Sequence, residues 1–391
     1  MRAINRVQRI GAQAIVGTFN TVATAVAEAE ASMQSAQERF DRKATTFWVR
    51  LRSLPKNHPL RRLRTQSFKR HISPFQKMAA VYHNLPLDRL ETIDAFPLSP
   101  WEQRAHAIVE EDGRMASKAI ETGWALRVAT SSSARNEIVG YGIATLLPLS
   151  YRGGGSTTTV STTIGPRTEQ NPYTAELAAI ARALESLAGR VRHLVVYVFS
   201  SNKAAILAIR NPRQQSGQQE IRRIHKAVEV LKSKGNRASL LWLPVGIESE
   251  LMQVAKAAAK ESTRQRKSPR KKPVRAYSTT LRNTLQRVQE KFQALPQGVG
   301  YFSKKVDTAL PGKHTRQLYD GILWKEASVL AQLRTGMTEI RRGNLSFYLG
   351  GKATTDPDDW SPCLDVVRET VKFAIATERL DAQIGQPYGS L

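Results

Sequence analysis

Hydrophobic residues recur at helical intervals from Ile4 to about Leu51, and the segment from Val22 to Phe40 is rich in Ala, Glu and Gln without Pro or Gly. This spacing predicts one or two amphipathic helices. Prolines then recur between Pro55 and Pro100, which predicts a region of short helices and turns.

The spacing changes to that of strands between Ala125 and Pro148. Two apolar runs there flank a polar turn that contains Arg135 and Asn136, and we expect Glu137 to lie on the second strand. The β-branched run from 156 to 165, STTTVSTTIG, predicts a third strand. Three consecutive strands indicate an antiparallel meander.

Helical spacing returns after Pro172, and Gly189 is placed to end that helix. The apolar run from His193 to Phe199 predicts a strand that is buried on both faces of a sheet. Two helices, a strand at SLLWLP and an Ala-rich helix follow. The order β-β-β-α-β-α-α-β-α predicts a mixed sheet with helices on both faces.

The net positive charge of the chain indicates a class of binding partner. The chain has 59 Lys and Arg against 33 Asp and Glu, a formal charge of +26, and such a surface attracts polyanions. We therefore expect non-specific binding to RNA, DNA or a hybrid. The alternative interpretation is a solvated basic surface that has no dedicated ligand. The densest run of cationic residues predicts a flexible linker. Three uses of this linker are open: contact with phosphates, a nuclear-import signal, or a solvated connection without a ligand. Its cations are Arg264, Arg266, Lys267, Arg270, Lys271, Lys272 and Arg275.

The single cysteine, Cys363, excludes a disulfide framework or a cysteine-based zinc cluster within this chain. We expect it to be a small buried hydrophobic residue. No apolar run is long enough to cross a bilayer, and no secretory signal is evident. The expected location is nuclear or cytoplasmic, without membrane association.

The segment from Thr163 to Leu184 reads TIGPRTEQNPYTAELAAIARAL. It resembles the second catalytic segment of ribonuclease H domains in fungal non-LTR retrotransposons, because the Tyr-Thr-Ala-Glu-Leu-Ala-Ala-Ile core lies on the predicted helix. Other sequence segments that resemble the same family, such as NPRQQSGQQEIRRIHKAV and YFSKKVDTALPGKHTR, extend the resemblance over most of the chain.

The resemblance implies an α/β ribonuclease H-like fold, with a mixed five-stranded sheet, helices on both faces, and helical N- and C-terminal regions. It implies a helical connection over 1–116 after a polymerase, the ribonuclease H-like domain over 117–262, a basic linker and helix over 263–300, and a helical tail over 301–391. After LRTGM the chain passes to RRGNLSFYLGGK without the Cys and His cluster that the family has there.

Active members of the family hold two magnesium ions between four carboxylates, which Mg²⁺ requires as anionic oxygen ligands. The resemblance implies that this chain keeps one of the four carboxylates, Glu176. It implies that Ser131, Ser201 and Met252 occupy the positions of the other three. Glu248, four residues before Met252, would lie on the same helical face and is the nearest substitute. The family's mobile loop is shorter here and contains no His.

These losses predict a domain without bound metal or cofactor that binds nucleic acid but does not cut it. Two alternatives remain. One is an active RNA–DNA hybrid endoribonuclease, which would need Mg²⁺ as in active relatives. The other is a gene remnant that acts only as a helical interaction protein, whose flanking helices expose apolar faces.

Overall fold

The computed structural model describes residues 2–62, 72–94, 96, 99, 101, 104–150, 154–264, 273–336 and 345–376. The chain forms two compact units, residues 45–284 (the sheet unit) and residues 1–44 with 285–391 (the helical unit). The predicted boundaries near 116, 262 and 300 differ from this division, because the N-terminal helices share a unit with the C-terminal ones.

The sheet unit contains a six-stranded mixed sheet. The strands are β1 (His106–Ile108), β2 (Leu126–Arg135), β3 (Ile138–Leu146), β4 (Thr157–Pro166), β5 (Val195–Ser200) and β6 (Arg237–Trp242). Their order in the sheet is β1-β6-β5-β2-β3-β4. β2, β3 and β4 pair antiparallel, whereas β2, β5, β6 and β1 pair parallel.

The helices in chain order are α1 (Arg2–Val16), α2 (Thr24–Glu30), α3 (Ala36–Ser53), α4 (Pro74–Tyr82), α5 (Arg114–Glu121), α6 (Pro172–Ala188), α7 (Lys203–Arg210), α8 (Gln218–Ser233), α9 (Glu250–Ser262), α10 (Tyr277–Glu290), α11 (Tyr301–Val306), α12 (His314–Asp320), α13 (Trp324–Arg334), α14 (Leu345–Tyr348) and α15 (Leu364–Ala376). None of these described helices is long and apolar enough to cross a bilayer.

The predicted α/β class and element order are confirmed, since β2, β3, β4, α6, β5, α7, α8, β6 and α9 follow one another as in a ribonuclease H-like fold. The predicted strand number was wrong. β1 adds a sixth strand beside β6, and its three residues are too few for alternation to be visible in the sequence. Glu137 was also misplaced: it follows Asn136 in the turn between β2 and β3, where both residues have positive φ as a tight hairpin requires.

Alternation along the strands supplies a separate core to each face of the sheet. Leu126 and Val128 of β2 join the larger core, which contains the apolar residues of α6 and α8. Ala129 joins the smaller core, which contains Met252 of α9. Gly142 of β3 permits the close approach of α9, because a Cβ atom there would lie 2.3 Å from the carbonyl oxygen of Ala255.

The helical unit encloses a buried charged cluster beside an apolar core. The Arg334 guanidinium donates to Glu30 Oε2 at 2.9 Å and to Asp307 Oδ2 at 2.6 Å, and all three side chains are buried. The hydroxyl of Tyr319 donates to Glu30 Oε2 at 2.8 Å, and Nε2 of His314 lies 2.8 Å from Asp307 Oδ2. The helices of this unit therefore pack around ion pairs as well as apolar side chains.

Candidate functional site

Glu176 lies in the first turns of α6, against the centre of the sheet. Asn171 caps this helix, since its Oδ1 accepts a hydrogen bond from the backbone N–H of Thr174 at 3.0 Å, and Pro172 occupies the first helical position. The apolar side chains of α6 then face the larger core. This packing places Glu176 under the sheet, where only 1% of its surface is exposed.

The carboxylate of Glu176 accepts hydrogen bonds from the two central parallel strands. The hydroxyls of Thr130 on β2 and Ser200 on β5 both donate to Oε1 at 2.7 Å, and these two residues are register partners in the sheet. The hydroxyl and the backbone N–H of Ser132 add further hydrogen bonds. One side chain thus connects β2, β5 and α6.

Burial raises the pKa of the Glu176 carboxyl group above its usual value, and the hydrogen bonds from Thr130, Ser200 and Ser132 act in the opposite direction. The surrounding groups are neutral hydroxyls, so they add no negative charge that would attract a cation. Burial therefore makes this carboxyl group harder to ionise than that of an exposed glutamate, while the hydrogen bonds hold it in place.

The hydroxyls at Glu176 are not those singled out from the sequence. Ser131 is one residue from both Thr130 and Ser132 on β2, so alternation directs its side chain to the face covered by α9. Ser201 is exposed beyond the end of β5, where its carbonyl oxygen accepts from Trp242 Nε1 at 3.2 Å. Thr130, Ser132 and Ser200 were missed, although alternation from Val128 could have identified the two β2 residues.

Met252 is buried in the smaller apolar core with Ala129 and Phe199. The predicted helical position of Glu248 was wrong, because α9 begins at Glu250 with Ser249 as its N-cap, and Glu248 precedes it. Glu248 lines a cavity of about 510 Å³ together with Phe199. It therefore lies on the face of the sheet covered by α9, whereas Glu176 lies on the face covered by α6.

The side chains around Glu176 do not fit a pair of magnesium ions. Mg²⁺ requires anionic oxygen ligands and gives up its water reluctantly, and the hydroxyls here are neutral and already engaged with the buried carboxylate. Within the part of the chain that the structure describes, no three or more His, Cys, Asp or Glu side chains come together as a metal site. Cys363 is exposed rather than buried as predicted.

Two cations of the predicted basic linker lie in the described residues. Arg264 is exposed and pairs with Glu261 at 3.3 Å. Arg275 is fixed to the sheet unit: its guanidinium lies 3.0 Å from Glu169 Oε1, and its backbone pairs with Leu90 in a β-bridge. The predicted contacts at Arg266, Lys267, Arg270, Lys271 and Lys272 lie outside the described residues.

Positive charge is concentrated in one of the two units. Residues 45–284 contain 39 Lys and Arg against 17 Asp and Glu, whereas residues 1–44 and 285–391 contain 20 against 16. The sheet unit therefore carries +22 of the formal charge of +26 and the helical unit carries +4. Attraction to a polyanion should come from the sheet unit.

No family model matches this chain. No curated protein matches it. Among solved structures, the N-terminal ribonuclease H domain of a Mycobacterium tuberculosis protein, fused to maltose-binding protein, is similar at 11% identity over 35% of this chain and 97% of that chain, with a TM-score of 0.28.

A ribonuclease H1 isolated from compost, in complex with an RNA/DNA hybrid, is similar at 16% identity over 35% of this chain and 99% of that chain, with a TM-score of 0.27. The foamy viral protease–reverse transcriptase in complex with an RNA/DNA hybrid is similar at 11% identity, over 50% of this chain and 27% of that chain, with a TM-score of 0.28. The solved structures to which this chain is similar thus include ribonuclease H domains and a retroviral reverse transcriptase, and the likeness concerns the fold alone.

Proposed function

We propose that this protein is a ribonuclease H-like nucleic-acid-binding protein that does not cleave RNA–DNA hybrids. The observation that carries the proposal is the enclosure of Glu176: the residue is 1% exposed, and its carboxyl group is hydrogen-bonded to Thr130, Ser132 and Ser200. A metal-dependent nuclease needs clustered anionic oxygens that reach both the ions and the scissile phosphate. A single enclosed carboxyl group among hydroxyls meets neither need.

Binding follows from the charge of the sheet unit, with 39 cations against 17 anions. Lys and Arg that neutralise phosphates release counterions and read no bases, so affinity should depend strongly on salt and weakly on sequence. The cations between Arg264 and Arg275 are the densest part of this charge.

Fluorescence anisotropy with labelled RNA, DNA and hybrid duplexes tests binding. We expect similar affinity for sequence-scrambled duplexes, and a loss of at least about tenfold between about 50 and 200 mM salt. Replacement of Arg266, Lys267, Arg270, Lys271 and Lys272 by Gln should weaken binding. The matched control removes five exposed cations of the helical unit and should change affinity little; these are Arg287, Lys291, Lys305, Lys313 and Lys325.

Incubation of the same hybrid with the protein and Mg²⁺, followed on a denaturing gel, tests the absence of cleavage. We expect intact RNA over hours. Magnesium-dependent cleavage that Glu176→Gln abolishes would establish the active nuclease instead. Equal effects of the two five-residue replacements would show that net charge, not the basic run, determines affinity.

We further propose that the chain derives from a fungal non-LTR retrotransposon polyprotein and acts in the nucleus or cytoplasm. The sequence segment TAELAAIARAL around Glu176 supports the retrotransposon origin, and the basic run between Arg264 and Arg275 supports nuclear import. A fluorescent fusion should accumulate in nuclei, and the five-residue Gln replacement between 266 and 272 should reduce that accumulation. Unchanged localisation in the variant would exclude the basic run as the import signal.

A further inference from the structure

The strand β4 forms one edge of the six-stranded sheet. Among the described strands it pairs with β3 alone, and residues 157–161 are all exposed. The outer side of an edge strand presents a row of backbone N–H and C=O groups that the sheet does not use, and these groups can pair with a strand of another chain. The structure therefore offers β4 as a docking edge.

This edge lacks the features that usually prevent pairing between chains. Edge strands of soluble proteins commonly carry charged side chains, prolines or bulges. Residues 157–166, TTTVSTTIGP, contain no charged residue, and Pro166 stands only at the end. The register shift between β3 and β4 lies at Val139 and Gly140, opposite the C-terminal end of β4. We call residues 157–163, which precede this irregular part, the β4 edge.

The other edge of the sheet differs from the β4 edge. It is formed by β1, which has only three residues, His106–Ile108. So short a strand offers few hydrogen bonds to another chain. Two copies that join through their β4 edges would leave only β1 edges outside, so the assembly would stop at two copies instead of growing into a fibre.

A second copy fits the β4 edge because its sequence is nearly symmetrical about Val160. When two copies pair antiparallel with Val160 on a twofold axis, residues at equal distances before and after Val160 lie opposite one another. Thr–Thr and Thr–Ser pairs and pairs of β-branched side chains stabilise antiparallel strands. The opposite pairs are Thr157 with Thr163, Thr158 with Thr162, Thr159 with Ser161, and Val160 with Val160.

The two faces of the strand also match in this register. Oγ of Ser161 donates to the carbonyl oxygen of Ala258 at 2.8 Å, so the odd-numbered residues face α9. Val160 lies on the other face, and its register partner Ile143 belongs to the larger core. A twofold axis perpendicular to the sheet keeps each face on the same side. Odd-numbered residues therefore meet odd-numbered ones, and even-numbered residues meet even-numbered ones.

The helices on the α9 face leave room for such a pairing. α9 packs mainly on β2 and β3 and less on β4. The β3 strands of the two copies would be three strand spacings apart, about 14 Å. Helices pack side by side at about 8 to 10 Å, so the α9 helices of the two copies would not overlap.

We propose that the β4 edge is a self-association surface, through which two copies of this chain join their six-stranded sheets into one continuous sheet about a twofold axis. Seven residues from each copy make a small interface. The formal charge of +22 on each sheet unit opposes the association. We therefore expect a dissociation constant of roughly 10 to 100 μM near physiological salt. Salt should strengthen this association, because it screens the repulsion, whereas it should weaken binding to nucleic acid.

Sedimentation equilibrium of the full chain at about 50 and 300 mM salt tests the association. We expect a monomer–dimer equilibrium that is tighter at the higher salt. Val160→Lys should weaken it at least about tenfold, because two like charges would stand directly opposite each other. Leu207→Lys is the matched control: it adds the same charge on α7, at a residue that is 43% exposed against 44% for Val160. A monomer under all conditions, or equal association of the two variants, would overturn the proposal.

Disulfide cross-linking tests the register in a Cys363→Ser background. Val160→Cys should form a linked dimer under copper-phenanthroline oxidation, because its two Cβ atoms would lie about 5 Å apart. Thr158→Cys should cross-link at least about tenfold more slowly, since its two cysteines would be four residues, or about 14 Å, apart along the strands. A mixture of Thr158→Cys and Thr162→Cys should restore fast cross-linking. Equal rates for Val160→Cys and Thr158→Cys would exclude the antiparallel pairing about Val160.

Discussion

Replacement of Glu176 by Ala should destabilise the sheet unit strongly. The substitution removes the acceptor for the hydroxyls of Thr130 and Ser200, each now at 2.7 Å from Oε1, and for Ser132. A buried donor left without an acceptor costs about 1 to 3 kcal/mol. The hydroxyl of Thr130 has a second acceptor, the carbonyl oxygen of Phe199 at 3.3 Å, so we expect a loss of about 3 to 5 kcal/mol including the cavity.

Glu176→Gln is the matched control, because glutamine keeps the volume and one oxygen acceptor. It should cost only about 1 kcal/mol near pH 5. The pKa of Glu176 is raised in the folded chain, so the native state retains a proton that the unfolded state has lost. Stability of the wild type should therefore fall as pH rises from the usual glutamate value through the raised pKa, and this slope should be absent in Glu176→Gln.

Urea unfolding followed by circular dichroism measures these differences, and hydrogen exchange of peptides from β2 and β5 locates them. A cost of less than about 1 kcal/mol for Glu176→Ala, or unchanged exchange in β2 and β5, would show that these hydrogen bonds do not stabilise the two strands. Stabilisation of the wild type but not of Glu176→Gln by Mg²⁺ would reveal a bound cation at the carboxylate.

Three other predictions concern packing and buried charge. Arg334→Met should destabilise the helical unit by about 3 to 5 kcal/mol in urea unfolding, because it leaves Glu30 and Asp307 buried without their cation. The control Arg316→Met, at an exposed ion pair with Asp320, should cost less than about 1 kcal/mol. Equal losses of stability in the two variants would contradict the importance of the buried ion pairs. Burial alone would raise the pKa of Asp307, but the hydrogen bond with His314 and the charge of Arg334 together lower it. The stability that the charged Asp307 contributes should therefore be present above the usual aspartate pKa and be lost as pH falls through the lowered value. Asp307→Asn should remove this dependence of the free energy of unfolding on pH in acid. Gly142→Ala should lower the thermal midpoint by preventing the close contact with α9, since its Cβ would lie 2.3 Å from backbone atoms of both Ala255 and Ala259. Gly189→Ala, with open space around it, should leave the midpoint nearly unchanged. Similar midpoints for both variants would show that the space at Gly142 is not limiting.

The sequence alone was sufficient for the order of elements from β2 to α9. Spacings of two and of 3.6 residues are local properties, and they identified β2 to β6 and α6 to α9 in the right order. β1 escaped because three residues cannot show a period, and Glu137 was misplaced because the hairpin uses two residues with positive φ.

The sequence also identified Glu176, but the tertiary structure alone decided its surroundings. The motif named the residue, whereas its partners on β2 and β5 depend on strand register and on which face each side chain takes. A shift of one residue along a strand reverses the face, and this separates Ser131 from Thr130 and Ser132.

Only the tertiary structure joined the ends of the chain into one unit. Glu30 and Arg334 are 304 residues apart and form a buried ion pair, yet nothing in either local segment specifies the other. The pattern of α1 showed an amphipathic helix, but not that its apolar side faces solvent. Local spacing determines which elements form, whereas burial depends on contacts between residues distant in sequence, and these contacts exist only in the folded chain.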